Sequence, residues 1–228
     1  MMKKYYKTEL HVHSSPVSAC SEIEPERLVN LYKENGYDSV VLTNHFTVHL
    51  NGETVEDKVK WYLEDYYKCC KEGENVGLNV ILGAEIRFTE NINDYLIFGI
   101  CPEELPDIYS MLSYGIDRFY SEYKNEENII IQAHPFRDGM TKVKRESLDG
   151  IEVFNMHPHH NSRIGFAAKY AKENNLIATC GSDFHHPGHE CLCGILTKHE
   201  LKTSYDVAKL LKSGKYSMSV GGYKVSLT

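Results

Sequence analysis

The stretch HVHSSPVSAC, His11 to Cys20, places two imidazoles two residues apart, ahead of a serine-rich loop that ends on a thiol. Side chains of an extended chain alternate in direction, so His11 and His13 point the same way. Two converging imidazoles form either an exposed polar stripe or half of a metal site. Further donors follow along the chain: Asn44-His45 after VVLT, Glu85 after VILGA, His134 in QAHPF, Asn155 in IEVFN, and Asp183 with His185 in GSDFHHP. Each alone has a plainer role. His45 could cap a strand, Glu85 could pair with Arg87, His134 could sit in a turn fixed by Pro135, and Asp183 could cap a helix. Jointly they are the nitrogen and oxygen ligands that zinc, manganese or iron prefer. Carboxylates and imidazoles crowded at one mouth would also be poorly solvated without cations between them.

An alternation of short β runs and amphipathic helical patterns must position these residues. TELHVH, DSVVLTNH, LNVILGAEI, DYLIFGI, NIIIQAHP, GIEVFN and LIATCGSDF read as strands. PERLVNLYKENG, with proline at its start and glycine at its end, reads as a helix. So do VEDKVKWYLEDYYKCCKEG, a stretch after Pro102, SRIGFAAKYAKENN and SYDVAKLLKSG. No repeat, low-complexity linker or composition break divides the chain, which reads as one α/β domain over residues 1–228. The alternation implies a mostly parallel sheet with covering helices. The candidate donors fall at the carboxyl ends of nearly every strand. A barrel brings such ends to one mouth, whereas an open sheet strings them along an edge. About seven strands suit a distorted (β/α)7 TIM-like barrel.

Composition narrows the partners. A net charge of −7 offers no basic surface to nucleic acid. A phosphorylated small molecule remains compatible, because bound cations reverse the local field. Seven cysteines with no apolar leader in MMKKYYKTEL argue for reduced thiols and a cytoplasmic protein, and no run is long enough to span a membrane. Cys69-Cys70 fits a helix core, and Cys191 and Cys193 fit a loop.

The four short segments ELHVHSS, VLTNHF, QAHPF and GSDFHHP, spread over residues 9 to 187, resemble the motifs of the PHP (polymerase and histidinol phosphatase) family. The resemblance implies a distorted seven-stranded β/α barrel that holds two or three divalent transition metals and hydrolyses phosphate esters with a metal-activated water. His11, His13, Glu85 and Asp183 would hold the first metal. Glu85 would bridge to a second, completed by His134 and by Asp94, where many relatives have histidine. A third would take His45, His185 and one ligand from the loop after His13, where Cys20 is the one strong donor. Cys20 either donates a thiolate there or packs under the loop while water fills the position. Asn44 stands where many relatives have aspartate and would orient a neighbour.

Asp183, His45 and His185 would carry the catalysis, with either histidine protonating the leaving group when it is not ligated. Glu152 and Asn155 match an E-x-x-N pattern that lies near the metals in relatives without binding them, and Asn155 would contact the substrate. Arg163 either binds the substrate phosphate or lies on a helix surface, and His157, His159 and His160 read as a solvated loop. Histidinol phosphate is the leading specific substrate. The alternatives are a nucleotide phosphatase or exonuclease of the same chemistry, or a non-catalytic PHP module.

Overall fold

Buried β-branched and apolar runs set the frame of the molecule, a computed structural model that describes residues 5–226. The strands are β1 (Tyr6–Val12), β2 (Ser39–Leu42), β3 (His45–Phe46), β4 (Asn79–Leu82), β5 (Ala84–Arg87), β6 (Asp94–Phe98) and β7 (Ile129–Gln132). They continue with β8 (Gly150–Asn155), β9 (Ile177–Gly181), β10 (Cys193–Thr197), β11 (Ser217–Val220) and β12 (Tyr223–Val225). The helices are α1 (Pro25–Glu34), α2 (Val55–Val76), α3 (Leu105–Ser110), α4 (Ile116–Tyr123), α5 (Ile164–Asn174) and α6 (Ser204–Ser213).

Local chemistry fixes the helix limits. The Thr54 hydroxyl accepts the Asp57 amide at 3.1 Å while the Asp57 carboxylate accepts the Thr54 amide at 3.2 Å. This reciprocal cap starts α2, which ends at Gly77 in the left-handed region with φ of 73°. Helix α1 starts with proline, which loses no hydrogen bond in a first turn. It buries Leu28, Val29, Leu31 and Tyr32 against Val12, Val40, Leu42 and Phe184.

The hydrogen-bond ladders draw two mixed six-stranded sheets, in the orders β12-β11-β10-β1-β2-β4 and β3-β5-β6-β7-β8-β9. These ladders share the expected α/β character but do not by themselves join into one closed ring of seven strands. The difference has three sources. β2 breaks at Thr43-Asn44 before β3 and β4 breaks at Gly83 before β5, so each pair of segments changes sheet at the break. β10 pairs antiparallel with β1 and starts a meander through β11 and β12 that the sequence reading did not include. Finally, β1 meets the exit of β9 through one bridge, Val12 with Phe184, rather than a full ladder.

β6 runs antiparallel to both β5 and β7. Its amino end therefore lies beside the carboxyl ends of its neighbours, and Asp94, the first residue of β6, pairs in register with Arg87. A donor at the wrong end of its strand thus reaches the same mouth as the others. No helix among the described residues is long and apolar enough to cross a membrane.

Candidate metal centre

Every donor that the sequence reading named around Glu85 converges there. Glu85 is fully buried on β5, opposite His45 of β3. Its Oε1 lies 3.2 Å from His11 Nε2 and 3.1 Å from His134 Nε2. Its Oε2 lies 2.8 Å from His45 Nδ1 and 3.4 Å from His13 Nε2. Asp183 Oδ1 stands 3.4 Å from the Nε2 atoms of both His11 and His13, and 3.5 Å from His185 Nδ1.

His134 Nε2 and Glu85 Oε1 form a hydrogen bond, whereas the other approaches are close but not directed as hydrogen bonds. His11 Nε2, His13 Nε2, His45 Nδ1 and Glu85 Oε2 are all buried with no hydrogen-bond partner. Buried polar atoms are rarely left so, since each costs about 1–3 kcal/mol. Lone pairs aimed at common points between them are what a bound cation would satisfy. Three groups bring their donor atoms within 4.8 Å of one another: His11, His13 and Asp183; His45, Glu85 and Asp94; and His13, His45 and His185. The residues present therefore fit a divalent transition metal.

The surrounding hydrogen bonds hold the donors in place. Glu152 Oε1 lies 2.9 Å from His11 Nδ1, so the far nitrogen of the imidazole is left for a ligand. Glu152 Oε2 accepts the His134 amide at 3.1 Å and the Asn155 amide side chain at 2.8 Å. Asn155 also donates to Asp183 at 3.1 Å, and its oxygen accepts from Ser162 and from Arg137. Its polar atoms are thus spent on positioning rather than on the cavity. Asn44 accepts the Ser14 amide at 2.7 Å and the Ser18 hydroxyl at 3.0 Å, and Ser18 in turn meets His13 Nδ1 at 3.1 Å. Asp65, buried on α2, accepts the Ser14 hydroxyl at 2.9 Å and the Val17 amide at 3.2 Å, anchoring the serine-rich loop. His134 and Asp183 have φ of 29° and 50°, a region that side chains rarely adopt and that tends to mark functional sites.

One close approach makes the geometry possible. A Cβ added to Gly181, at the end of β9, would stand 2.4 Å from both His11 Cβ and Glu152 Oε1. Glycine lets β9 press against the first imidazole and its carboxylate partner.

Charge is distributed unevenly. Burial alone would raise the pKa of Glu85, but His11 and His45 outweigh it and hold the carboxyl well below the usual range. Burial opposes charge on His11, yet Glu152, Asp183 and Glu85 lift its pKa well above ordinary. His13 goes the other way, pushed well down by burial and then by His185 and His45. The Cys20 thiol is exposed and faces the His185 and His45 imidazoles. Partial shielding opposes its ionisation, but those two rings bring its pKa down to about 6. That places Cys20 beside the two histidines with which the sequence reading grouped it.

The cluster opens into a cavity of about 380 Å³ lined by Cys20, His45, Asp94, His134, Asp183 and His185, and by Arg87, Arg137 and four rim histidines. Arg87 makes a two-pronged pair with Asp94, both contacts at 2.7 Å, so the sequence alternative of an Arg87 pair with Glu85 is not what forms. Arg163 does not line the cavity. Its guanidinium donates to the Phe136 carbonyl at 2.6 Å and to Asp138. Arg137 does line the cavity: it pairs with Asp183 and leaves a buried Nε without a partner. Its signal was its position three residues after His134, in QAHPFR.

The profile of one protein family, described as the PHP domain, matches residues 9–213. Among solved structures, the chain is similar to a two-domain protein from Bacteroides vulgatus containing a predicted PHP-like metal-dependent phosphoesterase, with a TM-score of 0.66 and 17% identity. That match covers 94% of this chain and 64% of the two-domain protein, so this chain spans less than two thirds of it. PsfC from Pseudomonas syringae matches with a TM-score of 0.61 and 17% identity over 90% of this chain and 88% of its own. A candidate metal-dependent phosphoesterase from Bifidobacterium adolescentis matches with a TM-score of 0.52 and 14% identity, over 90% and 95%. No curated protein is similar to the chain in sequence.

Proposed function

Because the chain belongs to the PHP domain family, matched over residues 9–213, we propose that it hydrolyses phosphate monoesters with the help of two or three divalent transition metals. The observation that carries this reading is the set of buried, unpartnered donors around Glu85. Zinc, manganese or iron bound there would acidify a water and neutralise phosphate oxygens. His11, His13, Asp183 and Glu85 would hold one cation, and Glu85, His134 and Asp94 a second. His45, His185 and Cys20 would hold a third.

The chain's own groups do the rest. Glu152 fixes the ring of His11, and Asn155 fixes Asp183. Arg137 offers a guanidinium fork at the cavity, a shape suited to phosphate oxygens. When only the first two donor sets are engaged, His45 or His185 stays free to protonate the leaving oxygen. The same reading takes the two sheets as walls of one distorted barrel, supported by the Val12–Phe184 bridge and by the breaks where β2 runs on toward β3 and β4 toward β5.

The cavity size suits a small monoester, and the net charge of −7 gives no basic track for a polynucleotide. Histidinol phosphate, the activity in the family's name, is therefore placed first among substrates. The test is a chelated protein reloaded with Mn²⁺, Zn²⁺ or Fe²⁺ and offered histidinol phosphate, sugar phosphates, mononucleotides and oligonucleotides. Phosphate release from monoesters that chelation abolishes is expected. Silence with every metal would overturn the reading, and cleavage of oligonucleotides alone would assign a nuclease.

A further inference from the structure

The loops after β8 and β9 bring a second group of imidazoles to the rim of the cavity, apart from the donors around Glu85. Within it, the ring centres of His159 and His189 are 4.9 Å apart, those of His186 and His189 5.6 Å, and those of His159 and His186 6.3 Å. Three imidazoles around one tetrahedral zinc, with nitrogens at about 2.0–2.1 Å, would have ring centres roughly 5 Å apart. The widest gap exceeds that by about 1 Å, so binding requires the side chains to rotate toward one another.

Two further features point to a cation. His186 Nδ1 lies 3.2 Å from Glu22 Oε2, which leaves Nε2 for a ligand, and a carboxylate commonly orients metal-binding histidines in this way. His189 Nδ1 is buried and has no hydrogen-bond partner. His157 plays a different part, because its Nδ1 accepts the His159 amide at 3.2 Å and so holds the loop that carries His159.

We propose that His159, His186 and His189 form a separate transition-metal site at the rim, which binds Zn²⁺ with a fourth position open to water. An all-imidazole set suits zinc, copper or nickel, whereas manganese favours carboxylates and water. The site does not depend on the phosphoesterase reading, because it stands on the rim geometry alone.

The experiment counts metals on the chelated full chain titrated separately with Zn²⁺ and Mn²⁺, and on the double variant His159→Ala/His189→Ala. The variant is expected to lose one zinc per chain and no manganese. Equal zinc counts in the two proteins, or manganese lost along with zinc, would overturn the proposal. Crystals of the unaltered protein soaked in Zn²⁺ give a reading free of any folding defect. Anomalous scattering between the three rings is expected, and its absence would also overturn the site.

Discussion

Glu85 spreads two oxygens among four imidazoles, so one side chain sets the spacing of the whole donor cluster. Glu85→Gln keeps the shape, removes the charge and replaces one oxygen with a nitrogen that cannot ligate. Metal content should fall at more than one position, and turnover should fall by about a hundredfold or more, at least the loss seen when a supporting carboxylate is removed. Elemental analysis and phosphate release on the same preparation check this, and retained metal with retained turnover would refute it. Cys20 gives a second residue-scale test. Its lowered pKa means that any stabilisation from its thiolate is complete above the unfolded value of 9.0 and is lost as pH falls through about 6. In the chelated protein, alkylation of Cys20 followed by mass spectrometry should therefore titrate with a midpoint near pH 6. Metal loading should suppress it. A midpoint near the ordinary ~8.5 would break the link between Cys20 and its two histidines.

Between elements, the decisive contact is β9 against β1. Gly181→Ala adds one methyl where His11 Cβ and Glu152 Oε1 already stand. Overpacking of this kind costs about 1–3 kcal/mol, and displacement of His11 should weaken metal binding by roughly tenfold. Thermal melts and metal titrations would show both effects; an unchanged metal affinity would mean that β9 yields without moving His11. Glu9 ties the same two elements from the other side. Its carboxyl accepts the amides of Leu10, His11 and Ser182 and the Ser182 hydroxyl. Burial still raises its pKa to about 7, against the pull of those donors. A raised carboxyl pKa contributes stability that is complete below the unfolded value of 4.5 and is lost as pH rises through about 7. The melting temperature of the chelated protein should therefore fall across that window relative to Glu9→Gln. Parallel pH profiles for the two proteins would refute this.

The helices were open to sequence reading because their ends carry chemical signals, such as Pro25 in the first turn of α1 and Gly36 just past its end, although α2 runs on beyond the expected Gly73 to a cap at Gly77. The direction of β6 was not, since DYLIF is buried along its whole length and reads alike either way. The meander through β10, β11 and β12 escaped for a related reason: SMSV and YKV are too short to show a period. Of the cluster, the donors in the four motifs could be read off, whereas the position of Arg137 at the cavity depended on an ion pair across 46 residues, Arg137 with Asp183.

For the whole molecule, binding and folding are linked. A cation at a hundred times its dissociation constant stabilises the folded state by about 2.7 kcal/mol. In a chain of this size each kcal/mol moves the melting temperature by roughly 2–4 °C. Chelation should therefore lower the melting temperature by roughly 5–10 °C, and differential scanning calorimetry with and without chelator measures it. No shift would mean that the buried donors are satisfied without metal. The pressed contact at Gly181 reaches further than stability. Any base change in a glycine codon that alters the amino acid either installs a Cβ or stops the chain. Every missense change at position 181 therefore begins with a Cβ pressed on His11 and Glu152, and a lineage that keeps this chemistry would have to shift those two side chains to accept one.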